Sequence, residues 1–147
     1  MCSSDLGKVM TTAGIVAKTG FPTFNGWVAT NKFSAANRAG LINFLKAMNQ
    51  INGDYSKNKA AWNVDSPKVK AVATNVGITP AAVVSALEGA VYPDGELNMS
   101  ADWMGGGAAT TIKSTAEFLK NAGRIKTTAD SYAKFVNADF AKAAAGR

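Results

Sequence analysis

Apolar residues recur at helical spacing through most of this chain, with strand-like alternation confined to its start. From about Phe24 to Thr30 the sequence Phe-Asn-Gly-Trp-Val-Ala-Thr predicts a strand. Alternation there sets Thr23, Asn25 and Trp27 on one side, and Phe24, Gly26 and Val28 on the other. A further short strand is expected over Lys8 to Met10, followed by the small and polar loop Thr11 to Gly20. Helix signals dominate beyond Phe33. Ser34 is expected to cap a helix whose Leu41, Phe44, Leu45, Met48 and Ile51 form one apolar stripe, with Gly53 and Asp54 ending it. Ser66-Pro67 supplies a cap followed by proline at the first helical position; Val69, Val72, Ala73 and Val76 form the face to bury, and Gly77 stops the helix. Thr79-Pro80 repeats that start for Ala81 to Leu87, closed by Gly89.

After an irregular loop from Val91 to Met99, a helix is expected from near Ser100 or Ala108 to Asn121, with Ile112, Ala116 and Leu119 inward and Gly123 at its end. A last helix is expected over Thr128 to Ala144. In it Tyr132, Val136 and Phe140 share a stripe while Phe135 lies to one side. The small-residue tail Ala141 to Gly146 is expected to fray. The pattern therefore reads as α+β but mostly helical. Two strands are too few to make a sheet for five helices, so the helices are expected to pack on strands not represented here.

Composition narrows the functional classes. The 147 residues make one domain or part of one, and 47% hydrophobic with 18% charged residues is a globular balance. No apolar run approaches the roughly 18 residues that a membrane helix needs. The net charge of +6 comes from 16 basic and 10 acidic residues. The lysines are dispersed from Lys8 to Lys142 without a basic run, as on a solvated surface rather than a phosphate-binding face. Residues 69–89 look like a helix-turn-helix of DNA-binding regulators, including the turn glycine. A recognition helix needs donors and acceptors aimed at base edges, whereas Ala81, Ala82, Ser85 and Ala86 offer one hydroxyl and three methyl groups. Nucleic acid is therefore not an expected partner, and a structural helical module is the other alternative.

Catalytic readings lack their parts. The chain has no His, and Glu88, Glu96 and Glu117 have no carboxylate partner at helical spacing. Asp54 and Asp65 read as capping or solvated groups. Gly105-Gly-Gly107 precedes a helix without the Lys-Ser or Lys-Thr pair of a phosphate loop, so it reads as a flexible helix start. No enzyme activity, metal or cofactor is expected. Trp62 reads as a packing residue, and Trp27 is the tryptophan that strand alternation brings beside Asn25.

One resemblance covers nearly the whole chain. It is carried by Phe21-Pro-Thr-Phe-Asn-Gly-Trp-Val-Ala-Thr-Asn-Lys-Phe33, Arg38-Ala-Gly-Leu-Ile-Asn-Phe-Leu-Lys46, Ala61-Trp62, Val76-Gly-Ile-Thr-Pro80, Tyr92-Pro93, Glu117-Phe-Leu-Lys-Asn-Ala-Gly-Arg124 and Ser131-Tyr-Ala-Lys-Phe-Val136. In order and spacing this set resembles the C-terminal half of periplasmic substrate-binding proteins of ABC importers, in the taurine, alkanesulfonate and nitrate branch. The resemblance implies part of a two-lobed α/β fold of the type II class. Residues 7–20 would end one lobe and approach the hinge; residues 21–147 would supply the return hinge strand and the C-terminal helical part of the other lobe. It also implies a small anionic or zwitterionic ligand, an ABC permease as membrane partner, and a periplasmic location. Asn25 would face the ligand, with Thr23 and Trp27 beside it. Where the taurine branch has an aspartate, this chain has Asn25, which keeps hydrogen bonding but removes the charge that would pair with an ammonium group.

Residues 1–20 show no secretory leader. Met-Cys-Ser-Ser-Asp-Leu instead matches the translation, from a GTG start, of GTG TGC TCT TCC GAT CT followed by any base, a common sequencing-adapter sequence. Residues 1–6 are therefore expected to be an assembly scar, which would leave the chain without a natural cysteine, since Cys2 is its one cysteine.

Overall fold

The computed structural model describes residues 10–19 and 22–146, and among them every regular element is helical. In chain order these are α1 (Ala13–Ala17), α2 (Asn31–Ala36), α3 (Arg38–Lys57), a 3₁₀ turn (Lys59–Ala61), α4 (Pro67–Val76), α5 (Pro80–Glu88), α6 (Gly95–Asn98), α7 (Gly107–Asn121), a second 3₁₀ turn (Ala133–Phe135) and α8 (Asp139–Ala144). The expected α+β mixture, and with it the two-lobed α/β fold, is not what forms. Lys8 and Val9 of the first expected strand lie outside the described residues. The second, Phe24 to Thr30, is irregular and exposed throughout. A strand exists by pairing its amide and carbonyl groups with a neighbour, and among the described residues the amides of 23–29 reach no backbone carbonyl.

Local signals place the helix starts. Thr30 accepts the Phe33 amide at 3.2 Å and so caps α2. The expected cap, Ser34, lies inside that helix, where its hydroxyl donates to the Asn31 carbonyl. Asn37 then separates α2 from α3: its backbone leaves helical geometry and its side-chain amide donates back to the Phe33 carbonyl. Prolines begin α4 and α5 as expected, and Thr79 accepts the Ala82 amide at 3.2 Å. Gly77 ends α4 in the left-handed conformation, and the Gly77 and Ile78 amides both reach the Ala73 carbonyl.

Two further boundaries differ from expectation because distant or local side chains decide them. Gly53 and Asp54 do not end α3, which runs on to Lys57. The Asp54 carboxylate is there engaged by Trp62 and Lys68, so its surroundings are tertiary rather than those of a turn. The helix expected over Thr128 to Ala144 contracts to α8 and a 3₁₀ turn. Upstream of α8, the Tyr132 hydroxyl accepts the Ala129 amide, Ser131 Oγ accepts the Ala133 amide, and Asn137 Oδ1 accepts the Asp139 amide. These side chains offer the backbone alternatives to a helical ladder.

A small aromatic core joins the C-terminal end of α3 to α4 and α5. Tyr55, Trp62, Val69, Ala73 and Val83 are buried together, with Val84, Leu87 and Tyr92 packed against them. Tyr55 meets Trp62 and Tyr92 edge to face, at centroid distances of 5.7 and 5.4 Å. The expected α4 face is half realised: Val69 and Ala73 are buried, while Val72 and Val76 are exposed. On α3, Leu41, Leu45 and Met48 are half-buried, whereas Phe44 and Ile51 lie open. The C-terminal tail, expected to fray, is helical through Ala144. Helix α8 packs along α3 with Ala141 and Ala144 buried, and the Arg38 guanidinium lies 4.8 Å from the centre of the Phe140 ring.

Candidate functional site

Thr23, Asn25 and Trp27 lie on an extended, exposed segment that leads into α2. Trp27 is the anchored member: its ring meets Phe44 of α3 edge to face at 4.9 Å while remaining 72% exposed. Phe24 curls over the same segment, its ring 3.7 Å from the position that a side chain at Gly26 would take. The three residues thus share one exposed stretch of chain. No described element encloses them.

The most elaborate polar arrangement is structural. The Asp54 carboxylate accepts hydrogen bonds from Trp62 Nε1 at 2.9 Å, Lys68 Nζ at 2.5 Å and Asn58 Nδ2 at 3.2 Å. The Lys68 ammonium, and then the indole donor, hold the Asp54 carboxyl below the usual carboxylate range. Lys68 Nζ also lies 5.3 Å from the centre of the Trp62 ring, so one cation serves both the acid and the aromatic face. This bracket fastens α3 to Trp62, at the end of the 3₁₀ turn, and to α4; the expected capping or solvated role of Asp54 becomes a tertiary one.

The glycine loop before α7 is closed on itself. The amides of Met104, Gly105, Gly106, Gly107 and Ala108 donate to the carbonyls of Asn98, Ser100, Trp103, Ala101 and Trp103 respectively. With those donors used internally, the loop has no free amide cradle for an anion. A Cβ at Gly105 would lie 2.7 Å from the Ser100 carbonyl oxygen, and one at Gly107 would collide with the Asp102 carbonyl. These glycines are required by close backbone approach, which replaces the expected flexible helix start.

Helices α4 and α5 meet at 101° across the short Gly77–Thr79 turn, the geometry of a helix-turn-helix. The exposed face of α5 presents Ala81, Ala82, Ser85, Ala86 and Glu88. Base reading needs long donors and phosphate binding needs cations, and this face has neither. Among the described residues no three His, Cys, Asp or Glu side chains gather as metal ligands, and no single helix is long and apolar enough to cross a membrane.

Sequence reasoning missed the Asp54 bracket, because its partners are eight and fourteen residues away and belong to different elements. It identified Trp62 as a packing residue, and the ring is 7% exposed.

No protein-family model and no solved structure matches the chain. It is similar to the taurine-binding periplasmic protein of Escherichia coli (strain K12), at 25% identity over 134 residues. That similarity covers 91% of this chain and 41% of the relative, so the chain spans less than half the length of the curated protein it matches. Extending over nearly all of this sequence, it supports a distant relationship to periplasmic binding proteins without selecting a branch among them.

Proposed function

We propose that this chain belongs to the solute-binding component of an ABC importer and helps to bind taurine or a related small sulfonate or organic acid in the periplasm. The observation that carries this reading is the similarity to a taurine-binding periplasmic protein along 91% of the chain. The role is binding and delivery to a membrane permease rather than catalysis. Asn25 is the first ligand contact, with Thr23 and Trp27 flanking it on the same exposed segment. A neutral Asn25 selects against ligands whose ammonium group needs a carboxylate, so an alkanesulfonate or another small acid fits it at least as well as taurine.

The test places residues 22–146 in the longer taurine-binding relative in place of its matching segment, then compares taurine with an alkanesulfonate by calorimetric titration. Asn25→Asp is expected to shift the affinity ratio toward taurine by about tenfold, the effect of one charge-assisted hydrogen bond. An unchanged ratio would remove Asn25 from the ligand site. Retardation of DNA by the same protein, without any response to sulfonates, would favour the helix-turn-helix geometry of α4 and α5 instead.

A further inference from the structure

Beside the aromatic core the surface opens into a recess of about 80 Å³, lined by Tyr55, Lys59, Trp62, Val84, Leu87 and Glu88. Its floor is aromatic and its α5 side is aliphatic; its two charges are of opposite sign. The Lys59 ammonium stands 5.7 Å from the centre of the Tyr55 ring. Glu88, at the end of α5, lines the same recess, and its charge is the second cause, after burial, of the raised pKa of the Tyr55 phenol. Among the described residues neither Lys59 nor Glu88 belongs to an ion pair, although Lys68, Lys70 and Lys113 each do. Two unneutralised opposite charges over one apolar floor match a molecule that carries both charges on a short aliphatic spacer.

We propose that this recess binds a small zwitterion of the amino-acid or amino-sulfonate type, with its acidic end toward Lys59, its ammonium end toward Glu88 and its methylenes over Tyr55 and Trp62. The site does not depend on the solute-binding reading. It uses no residue of the Asn25 segment and is complete within the end of α3, residues 59–62 and α5. The small, open recess and its exposed charges set a weak affinity, in the millimolar range.

The recess has its own spectroscopic reporter. The Trp62 indole N–H is hydrogen-bonded to Asp54 and the ring forms part of the lining, so its resonance senses occupancy. The full ¹⁵N-labelled chain is titrated with taurine, with γ-aminobutyrate, and with ethanesulfonate and ethylamine as singly charged controls; Trp62→Phe assigns the resonance by its disappearance. Both zwitterions are expected to shift it saturably and the controls to act more weakly. Lys59→Gln and Glu88→Gln, both at exposed positions, are each expected to weaken the zwitterions about two- to fivefold. The proposal is overturned if no saturable shift occurs, if the controls match the zwitterions, or if both variants titrate like the parent chain.

Discussion

Replacing Gly107 by alanine adds one methyl group at a position where the backbone leaves no room for it. The new Cβ would collide with the carbonyl of Asp102, a backbone group that moves only if the loop opens. Opening releases at least the bonds from the Gly105 amide to the Ser100 carbonyl and from the Gly107 amide to the Ala101 carbonyl, now 2.9 and 2.8 Å long. At about 0.5–1.5 kcal/mol each, their loss costs about 1–3 kcal/mol, similar to the usual cost of overpacking. Gly40 is the control: it lies in α3 with nothing within 4 Å of its missing Cβ. Gly40→Ala should stabilise the chain by about 0.5 kcal/mol, through the reduced freedom of the unfolded state. Urea unfolding followed by far-ultraviolet circular dichroism measures both. With a slope of about 1.5–2 kcal/mol per molar for a chain of this size, Gly107→Ala should lower the midpoint by about 1 M and Gly40→Ala should raise it slightly. Equal midpoints for Gly107→Ala and the parent chain would show that the loop is not closed as described. A matching decrease in Gly40→Ala would mean that any added methyl group destabilises the chain, and that the steric argument has no purchase.

The aromatic core and its acidic bracket give two more expectations. Trp62→Ala should cost about 3–5 kcal/mol, a large part of the stability of a small domain, whereas Trp62→Phe should cost about 1 kcal/mol because it keeps a ring against Tyr55 and loses a partly exposed hydrogen bond. Equal urea midpoints for the two variants would show that the ring does not carry the packing. The carboxyl of Asp54 titrates lower folded than unfolded, so its contribution is present above the unfolded value of about 4 and is lost as pH falls through the lower folded value. Between about pH 5 and pH 3 the parent chain should therefore lose stability more steeply than Asp54→Asn, and parallel pH profiles of the unfolding midpoint would refute that assignment.

What the sequence disclosed was what nearby residues decide. Pro67, Thr79-Pro80 and Gly77 act through their own dihedral angles and their next few neighbours, and the helices they bound form where the pattern placed them, although Ser66 occupies the cap position without a side-chain bond. The end of α3 was hidden because the carboxylate of Asp54 acts on residues eight and fourteen positions away. The contraction of the last helix depends on Tyr132, Ser131 and Asn137 capturing nearby amides, a competition that apolar spacing does not register. Even so, Tyr132, Val136 and Phe140 are half-buried and Phe135 is 63% exposed, so the sidedness was legible where the helix was not. The segment bearing Asn25 has the alternation of a strand, but alternation specifies only which side chains share a face; pairing requires a second strand.

The packing of α8 along α3 has a kinetic consequence. It joins parts of the chain separated by roughly 80 intervening residues, and closing a loop of that length costs about 4 kcal/mol of chain entropy apart from a constant. The α4–α5 pair, closed by a three-residue turn, carries almost no such penalty and can form while the chain is still being synthesised. Helix α3, by contrast, remains without its α8 partner until Asp139–Ala144 have left the ribosome. Its apolar stripe thus stays open until then, and this is the interval in which a chaperone would meet the chain.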